Sequence, residues 1–511
     1  MNPVRRQEPV ALSTAYRWYA LALLTALNLL NYLDRNVIFA LFEPIKRDLS
    51  LTDAQLGWLG SAYILVFSVA ALPFGVLSDL RSRRAVIAWG VSLWSAFTVL
   101  AGLVRGFGSL FVTRAAVGIG EAAFGPASQS LVADYFSGKR RAFAMGILSA
   151  GLSLGGVLGL WLGGKLEVVY GWRVTFMAVG LPGFALAVLA VRLVDPTRVL
   201  TPVRVTHLLR ELRVSVDTLI EQFNPLLVTA AFGAIIALWA DLGFGAGSGT
   251  ITMILAISAG LGFALNLQRW VRQIRHDQID ETPFGGGVSE VFRDLVRATR
   301  LVFRTPTLVY VFLSGALVSF GLNGLVGWGT SFASRELGWS AAESAAHLGE
   351  WGLISGTAGT LFGGVFADWL RKYTVAGRVW AGAIGLLIGG VLAMWLVTIR
   401  DPQRFVTVFA VAFFFLTWYN GPLAATIFDV VAARVSATVV GAYLLFSHVA
   451  GDAIAFPLVG ALSDRFGIDR AMLILPVVTV IGGLALLPAV RTVGGDGVRM
   501  TGEFPVVVVE E

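Results

Sequence analysis
The chain contains no cysteine, which excludes disulfides, iron–sulfur centres and thiolate zinc sites together. Histidine is scarce: the four present stand in no HExxH or paired-ligand spacing, so neither a metal site nor a cofactor is expected. Charge is sparse as well. Only 14% of the 511 residues are Asp, Glu, Lys or Arg against 56% hydrophobic, too few to coat a soluble globule, which excludes a soluble enzyme, a coiled coil and a disordered scaffold. No GxxxxGK[ST] loop is present, so ATP hydrolysis by that route is excluded and energy must come from an ion or substrate gradient. The net charge of +7 does not argue for nucleic acid, because an Arg excess is what loop topology predicts for a polytopic membrane chain. The first apolar run, from Trp18, lacks a small-residue cleavage site and is long enough to stay as a helix, so no signal peptide is expected.

What is abundant is apolar sequence in runs of membrane-spanning length. A bilayer core of about 30 Å needs about 20 apolar helical residues. Fourteen such runs occur, at 16–42, 53–79, 84–104, 109–136, 141–166, 172–194, 224–241, 250–270, 305–334, 340–370, 376–399, 402–432, 436–463 and 469–490. Threading them with the N-terminus inside puts 27 of the 39 Lys and Arg on the cytoplasmic side, 10 outside and two within helices. That bias supports the parity of the count and places both termini in the cytoplasm. The expected fold class is an all-α polytopic membrane protein.

Four helix ends carry a glycine followed four residues later by an acid: Gly75/Asp79, Gly163/Glu167, Gly364/Asp368 and Gly460/Asp464. The intervals of 88 residues (75 to 163) and 96 (364 to 460) each hold three spans, and successive pairs fall on opposite sides. Inverted three-helix repeats have this appearance, although such helix-end pairs also occur without symmetry. The resulting division is an N-terminal six-helix bundle (1–196), a linker region (197–304) with an inserted hairpin at 224–270, a C-terminal six-helix bundle (305–490) and a cytoplasmic tail (491–511). Two basic amphipathic segments flank the hairpin, with apolar stripes running from Val205 to Phe223 and from Val291 to Val302, the pattern of helices lying at the lipid surface. The tail, ending in Val506 to Val509 and two Glu, suggests no role.

Ionisable groups inside membrane spans are expensive, so those retained are the first candidates for function. The first span holds Asp34 and Arg35, the fourth Arg114 and Glu121. Asp34 lies about 24 Å along its helix from Trp18. Glu121 stands two turns from Arg114 on one face, with Gly118 between and Gly125 beyond, which suggests an open strip beside the charges. The pairs Arg35/Glu121 and Asp34/Arg114 could weld the helices statically. They could equally serve transport: a buried carboxylate near an Arg is a natural proton carrier, because burial and the cation pull its proton affinity in opposite directions. Glu121 and then Asp34 are the proton-coupling candidates; Arg35 and Arg114 are candidates for an anionic group. Asn31, Asn323 and Asn420 would line a cavity or tie helices together. His448 and Asp452, at i and i+4, and Glu350 beside His347 are secondary candidates. The many Phe and Trp read as packing or lipid-facing residues rather than a binding cage.

Between the second and third spans runs Gly75-Val-Leu-Ser-Asp79-Leu-Arg81-Ser-Arg83-Arg84, an acid closing a helix beside three arginines. The segment resembles the signature cytoplasmic loop of the major facilitator superfamily, differing at Leu80 and Ser82. That resemblance implies a gating role for Gly75, Asp79, Arg83 and Arg84, and for Asp368 at the equivalent end of the second half. Gly151-x-x-x-Gly155-Gly156-x-x-Gly159 is similar to the superfamily's glycine-rich antiporter motif, with Gly156 in place of its proline. Within the superfamily, Asn31-Tyr-Leu-Asp-Arg35, Arg114-Ala-Ala-Val-Gly-Ile-Gly-Glu121 and Ser447-His-Val-Ala-Gly-Asp452 together resemble the Spinster family; organic-anion symporters carry strings similar to the first two. The Spinster resemblance spans both six-helix halves but not the hairpin. It implies movement of lysophospholipids or sphingoid phosphates, driven or regulated by protons.

The expected protein is therefore a monomeric secondary transporter of the bacterial inner membrane, not an enzyme, working by alternating access on an amphipathic lipid with protons as partner. A symporter or exporter of small organic anions or drugs is the alternative. A membrane enzyme or lipid sensor is disfavoured, because no nucleophile, metal ligands or acid pair cluster near a membrane surface.

Overall fold
The structure, a computed structural model, describes residues 12–80, 82–137, 139–196 and 298–503, together with isolated positions between 224 and 269. The chain divides into two compact units, Met1–Val199 with Val302–Glu511, and Leu200–Leu301. Among the described residues there is no strand.

The larger unit contains two sets of six spans. In the N-terminal set, α1 (Thr14–Ala40) is followed by the short α2 (Phe42–Leu49), then α3 (Asp53–Leu80), α4 (Arg83–Ala101), α5 (Phe107–Ala122), α6 (Phe124–Tyr135) and α7 (Lys139–Val191). α7 is two spans joined at Gly171, whose φ of 78° is left-handed backbone that glycine adopts freely. The C-terminal set comprises α8 (Pro306–Glu336), α9 (Ala341–Arg371), α10 (Gly377–Thr398), α11 (Pro402–Leu416), α12 (Asn420–Val430), α13 (Ala433–Ser447), a π turn at His448–Asp452, α14 (Ala453–Phe466), α15 (Ile468–Ala471) and α16 (Ile474–Leu486). A final helix, α17 (Ala489–Glu503), lies beyond the last span.

Local chemistry explains the element ends. Ser13 and Asp401 accept hydrogen bonds from the first turns of α1 and α11, and Ser340 with Glu343 forms a capping box on α9. The fourth span of each half is broken, between α5 and α6 and between α11 and α12, where Gly125-Pro126 and Gly421-Pro422 follow. Proline lacks the amide hydrogen and its ring crowds the carbonyl four residues back, so the helix yields just before it. α1 packs on α7 with almost no side chain between them. A Cβ on Gly151, Gly155 or Gly159 would fall within 2.8, 2.3 and 2.5 Å of the carbonyl oxygens of Thr25, Leu29 and Leu33. The four-residue spacing on both helices gives the close crossing known from small-residue stripes in membranes. Leu361, Val365 and Trp395 stay exposed, as helix faces turned to lipid require.

In the smaller unit, the described positions between 224 and 236 and between 254 and 269 are helical. A Cβ on Gly233 would lie 2.3 Å from the Ser258 hydroxyl oxygen, so the two runs touch. Most of the flanking amphipathic segments, and Val506 to Val509, lie outside the described residues.

The two six-span halves are sealed at the end remote from Thr14, where α1 begins. The N-terminus of α3 is capped across the seam: Asp464 at the end of α14 accepts the amides of Asp53 (2.8 Å) and Ala54 (2.9 Å), while Thr52 accepts that of Gln55 (3.2 Å). Arg335 at the end of α8 reaches Glu43 at 2.6 Å and Asp53 at 2.7 Å, Lys46 holds Asp53 at 2.6 Å, and Ser463 donates to Asp53 at 2.6 Å. Thr330 donates to the Phe39 carbonyl (2.5 Å) and Ser61 to that of Ala453 (2.7 Å). Backbones meet here too, since a Cβ on Gly57 or Gly460 would come within 2.2 Å of the carbonyl oxygen of Phe456 or Asp53. At the other end, Arg83 bonds to Asp134 and Asp195, Arg378 to Asp429 and Asp496 to Thr307, each within its own half.

The seal yields a prediction. Hydrogen bonds to a charged acceptor contribute about 1.5–3 kcal/mol each, so Asp464→Ala should favour opening of the sealed end by at least about tenfold. The absence of native cysteine makes the chain its own labelling background: a cysteine at Ser61 should react with maleimide about tenfold faster when Asp464→Ala is added. An unchanged rate would show that the carboxylate does not hold the seal.

Candidate functional site
Four ionisable side chains meet inside the N-terminal half, and they divide into a tied pair and a loose one. Asp34 on α1 is 1% exposed and Arg114 on α5 is fully enclosed. Arg114 pairs with Asp34 Oδ1 at 3.2 Å and reaches the Asp34 carbonyl at 3.5 Å, while the Thr98 hydroxyl on α4 donates to Asp34 Oδ2. Both carboxylate oxygens are thus bonded, which makes this pair a brace between three helices.

Glu121, at the break between α5 and α6, is 1% exposed, yet neither of its carboxylate oxygens makes a hydrogen bond among the described residues. Its cation is Arg35, whose Nη2 stands 3.6 Å from Oε2. The Tyr63 hydroxyl on α3 lies beside Glu121 without completing a hydrogen bond, and Arg35 Nε is likewise unbonded. A buried polar group left unpaired costs about 1–3 kcal/mol, so several together mark a place where further partners are accommodated.

The Arg35 guanidinium is enclosed mainly by aromatic faces. Its carbon lies 4.4 Å from the ring centre of Tyr32 and 4.8 Å from those of Tyr63 and Phe67. Tyr63 also looks toward Arg114 at 5.9 Å, so one ring serves two cations. Each such contact contributes about 0.5–2 kcal/mol, the larger value when water is excluded. A Cβ at Gly118 would come 2.7 Å from the Tyr63 carbonyl oxygen, so the expected open strip is filled at that point by the backbone of α3; at Gly125 the space is open.

The C-terminal half contributes a second polar cluster at the π turn. Asp452 accepts from Ser319 at 3.0 Å and Asn323 at 3.3 Å on α8, and lies 3.0 Å from His448 Nδ1. π turns recur where a helix is reshaped for function, and this one lies against α8, where a Cβ on Gly451 would meet the Ala316 carbonyl oxygen at 2.6 Å. A cavity of about 460 Å³ bordered by Glu43, Arg47, Glu167, Trp339 and Glu343 lies at the sealed end and does not include either cluster.

The remaining candidates are scattered. Asn31 is buried one turn before Arg35, and Asn420 donates to Thr360 at 3.3 Å. Glu350 is exposed on α9, where His347 packs on Trp339. Arg83 is buried and pairs with Asp134 at 2.6 Å and with Asp195, while Arg84 donates to the Leu193 carbonyl at 3.2 Å. Both therefore anchor the end of the sixth span within their own half in this state. Asp368 is exposed and 3.4 Å from Arg378. Gly75 and Asp79 belong to α3, and the surroundings of the Asp79 side chain lie outside the described residues. Tyr32, Tyr63, Phe67 and Thr98 were not singled out from sequence. An aromatic pair at i and i+4, Tyr63 and Phe67, was the available signal, but the same spacing serves ordinary packing.

Comparison with known proteins gives a match to the Major Facilitator Superfamily over residues 24–451. An MFS-type efflux pump of Mycolicibacterium smegmatis is 34% identical over 35% of this chain and 42% of its own length. A probable L-galactonate transporter of Escherichia coli is 31% identical over 33% of this chain and 37% of its own, and protein spinster of Drosophila melanogaster 30% over 37% and 32%. The matched regions thus cover less than half the length of these relatives. Among solved structures, a bacterial homologue of the human lysosomal transporter Spinster, in an inward-facing unoccupied conformation, superposes with a TM-score of 0.72 at 23% identity, over 95% of this chain and 99% of that one. A match to the family model across most of the chain leads to one conclusion: the chain belongs to the Major Facilitator Superfamily.

Proposed function
We propose that the protein is a proton-coupled carrier of an amphipathic anion, a lysophospholipid or sphingoid phosphate, working by alternating access. The observation that carries the reading is the contrast between the two buried pairs. Asp34 and Arg114 are tied, whereas Glu121 has no hydrogen bond and a cation only at 3.6 Å. A carboxylate in that position can take a proton as Arg35 turns to an arriving headgroup, and return it as the headgroup leaves. Glu121 is the proton carrier in this reading, Arg35 the headgroup contact, and Asp34 with Arg114 the charge frame behind them. Asn31, Asn323 and Asn420 line the path. The Asp452 cluster offers polar groups from the other half, and the apolar remainder of that half suits an acyl chain. Asp79, Arg83, Arg84 and Asp368 belong to the end that closes when the sealed end opens. The sealed end faces outward and the termini the cytoplasm, in keeping with the Lys and Arg bias.

A second reading is a symporter of small organic acids. It is favoured by the similarity to a probable L-galactonate transporter and needs the same charge cluster but no apolar path.

Two outcomes are expected in proteoliposomes. Uptake of labelled lysophospholipid should rise with an imposed pH gradient in the native chain, and Glu121→Gln should remove that dependence by at least about tenfold while leaving the protein folded. Coupling that survives the substitution would overturn the role of Glu121. Unlabelled lysophospholipid should compete with the labelled substrate and galactonate should not; the reverse pattern, with galactonate itself accumulated, would replace the lipid by an organic acid.

A further inference from the structure
We infer that Tyr32, Tyr63 and Phe67 form an aromatic seat that holds the Arg35 guanidinium in place when Glu121 is not its counter-ion, which makes the three rings positioning residues for an anion-binding arginine. The inference deepens the function proposed above and rests on its assignment of Arg35 to the anion.

The rings come from two helices. Tyr32 precedes Arg35 by one turn on α1, and Tyr63 and Phe67 are one turn apart on α3. The latter two are stacked, with ring centres 5.7 Å apart and planes at 28°, so they present a joined surface. All three centres lie within 4.8 Å of the guanidinium carbon, closer than the outer limit of an effective cation–π contact at about 6 Å.

The nearby acids do not fix Arg35 in this way. Glu121 makes no hydrogen bond to it. Asp34 is bonded to Arg114 and Thr98. Asp452, in the other half, accepts from Ser319 and Asn323 and faces His448. What encloses the cation closely is therefore mostly aromatic, with one carboxylate, Glu121, at 3.6 Å and not hydrogen-bonded to it. A carboxylate in full contact would cancel the positive charge and would have to be displaced by an incoming phosphate or carboxylate. An aromatic quadrupole stabilises the cation without neutralising it, so the charge stays available to an anion approaching from the free side. Glu121 can then change protonation while Arg35 neither collapses nor swings away.

A stability cycle on the full chain in detergent tests this without substrate or pH gradient, so its result is independent of what the protein carries. Glu121→Gln alone should shift the thermal midpoint little, because the seat still holds Arg35. Adding Phe67→Leu should lower the midpoint beyond the sum of the two single shifts, by about 1–2 °C further. Phe67→Tyr, which keeps the ring, should behave as native in both backgrounds. With Arg35→Gln present, the coupling between positions 67 and 121 should vanish. Additive shifts, or a coupling that persists without Arg35, would overturn the inference and reduce Phe67 to packing. If Phe67→Leu with Glu121→Gln does not fold, the same cycle is run with Tyr63→Phe and Tyr63→Leu: equal midpoints for these two in the Glu121→Gln background would overturn it, and a lower one for Tyr63→Leu would support it.

Discussion
A charge inside a hydrocarbon layer must be compensated by the protein that carries it, and the interior of this bundle follows from that constraint. Asp34 satisfies it by bonding to Arg114 and Thr98, which ties α1, α4 and α5, while Arg114 keeps an unbonded Nε. Arg35 satisfies it by lying among three rings. Glu121 satisfies it only in part. The close backbone crossing of α1 on α7 holds Asp34 and Arg35 in register, because the glycines there leave no side chain that could yield. A strained balance of this kind is tolerable where the second state of the molecule supplies what the first lacks.

The two halves share a plan and differ in chemistry. Both break a span just before a Gly-Pro pair, at Gly125-Pro126 and Gly421-Pro422. Five residues before each proline stands Glu121 in one half and Thr417 in the other. The repeated break gives each half a hinge of the same form, while the charge was kept on one side only. The other half concentrates its polarity at the π turn, where Asp452 is fully hydrogen-bonded. The seal between the halves has a matching logic. Asp464 occupies the positive end of α3, a site any carboxylate would favour, and its contact exists only while the halves are together.

Much of this was legible in the sequence. The spans could be counted because twenty apolar residues in a row have few other uses, and the pairings Arg35/Glu121 and Asp34/Arg114 could be named because so few charges remain inside. The acid of the Gly460/Asp464 pair stood out by its repeat. That it caps α3 depends on a partner 411 residues away in the chain, which no local spacing reports. The division of roles between the two buried pairs was hidden for the same reason. Thr98 lies on a third helix, and its hydroxyl is what completes Asp34 and leaves Glu121 as the unbonded carboxylate.

By itself the sequence determined that the chain lies in a membrane, that its helices fall into two six-span sets, and which ionisable residues lie within them. Those properties follow from composition and period, which are local. Only the tertiary structure decided which end is sealed, that Arg83 and Arg84 bind within their own half, that Gly118 admits the backbone of α3 rather than a ligand, and that Tyr32, Tyr63 and Phe67 converge on one guanidinium. The physical reason is that aromatic rings, glycines and hydroxyls carry the same local pattern wherever they pack, and acquire a role only from the neighbour that another helix brings to them.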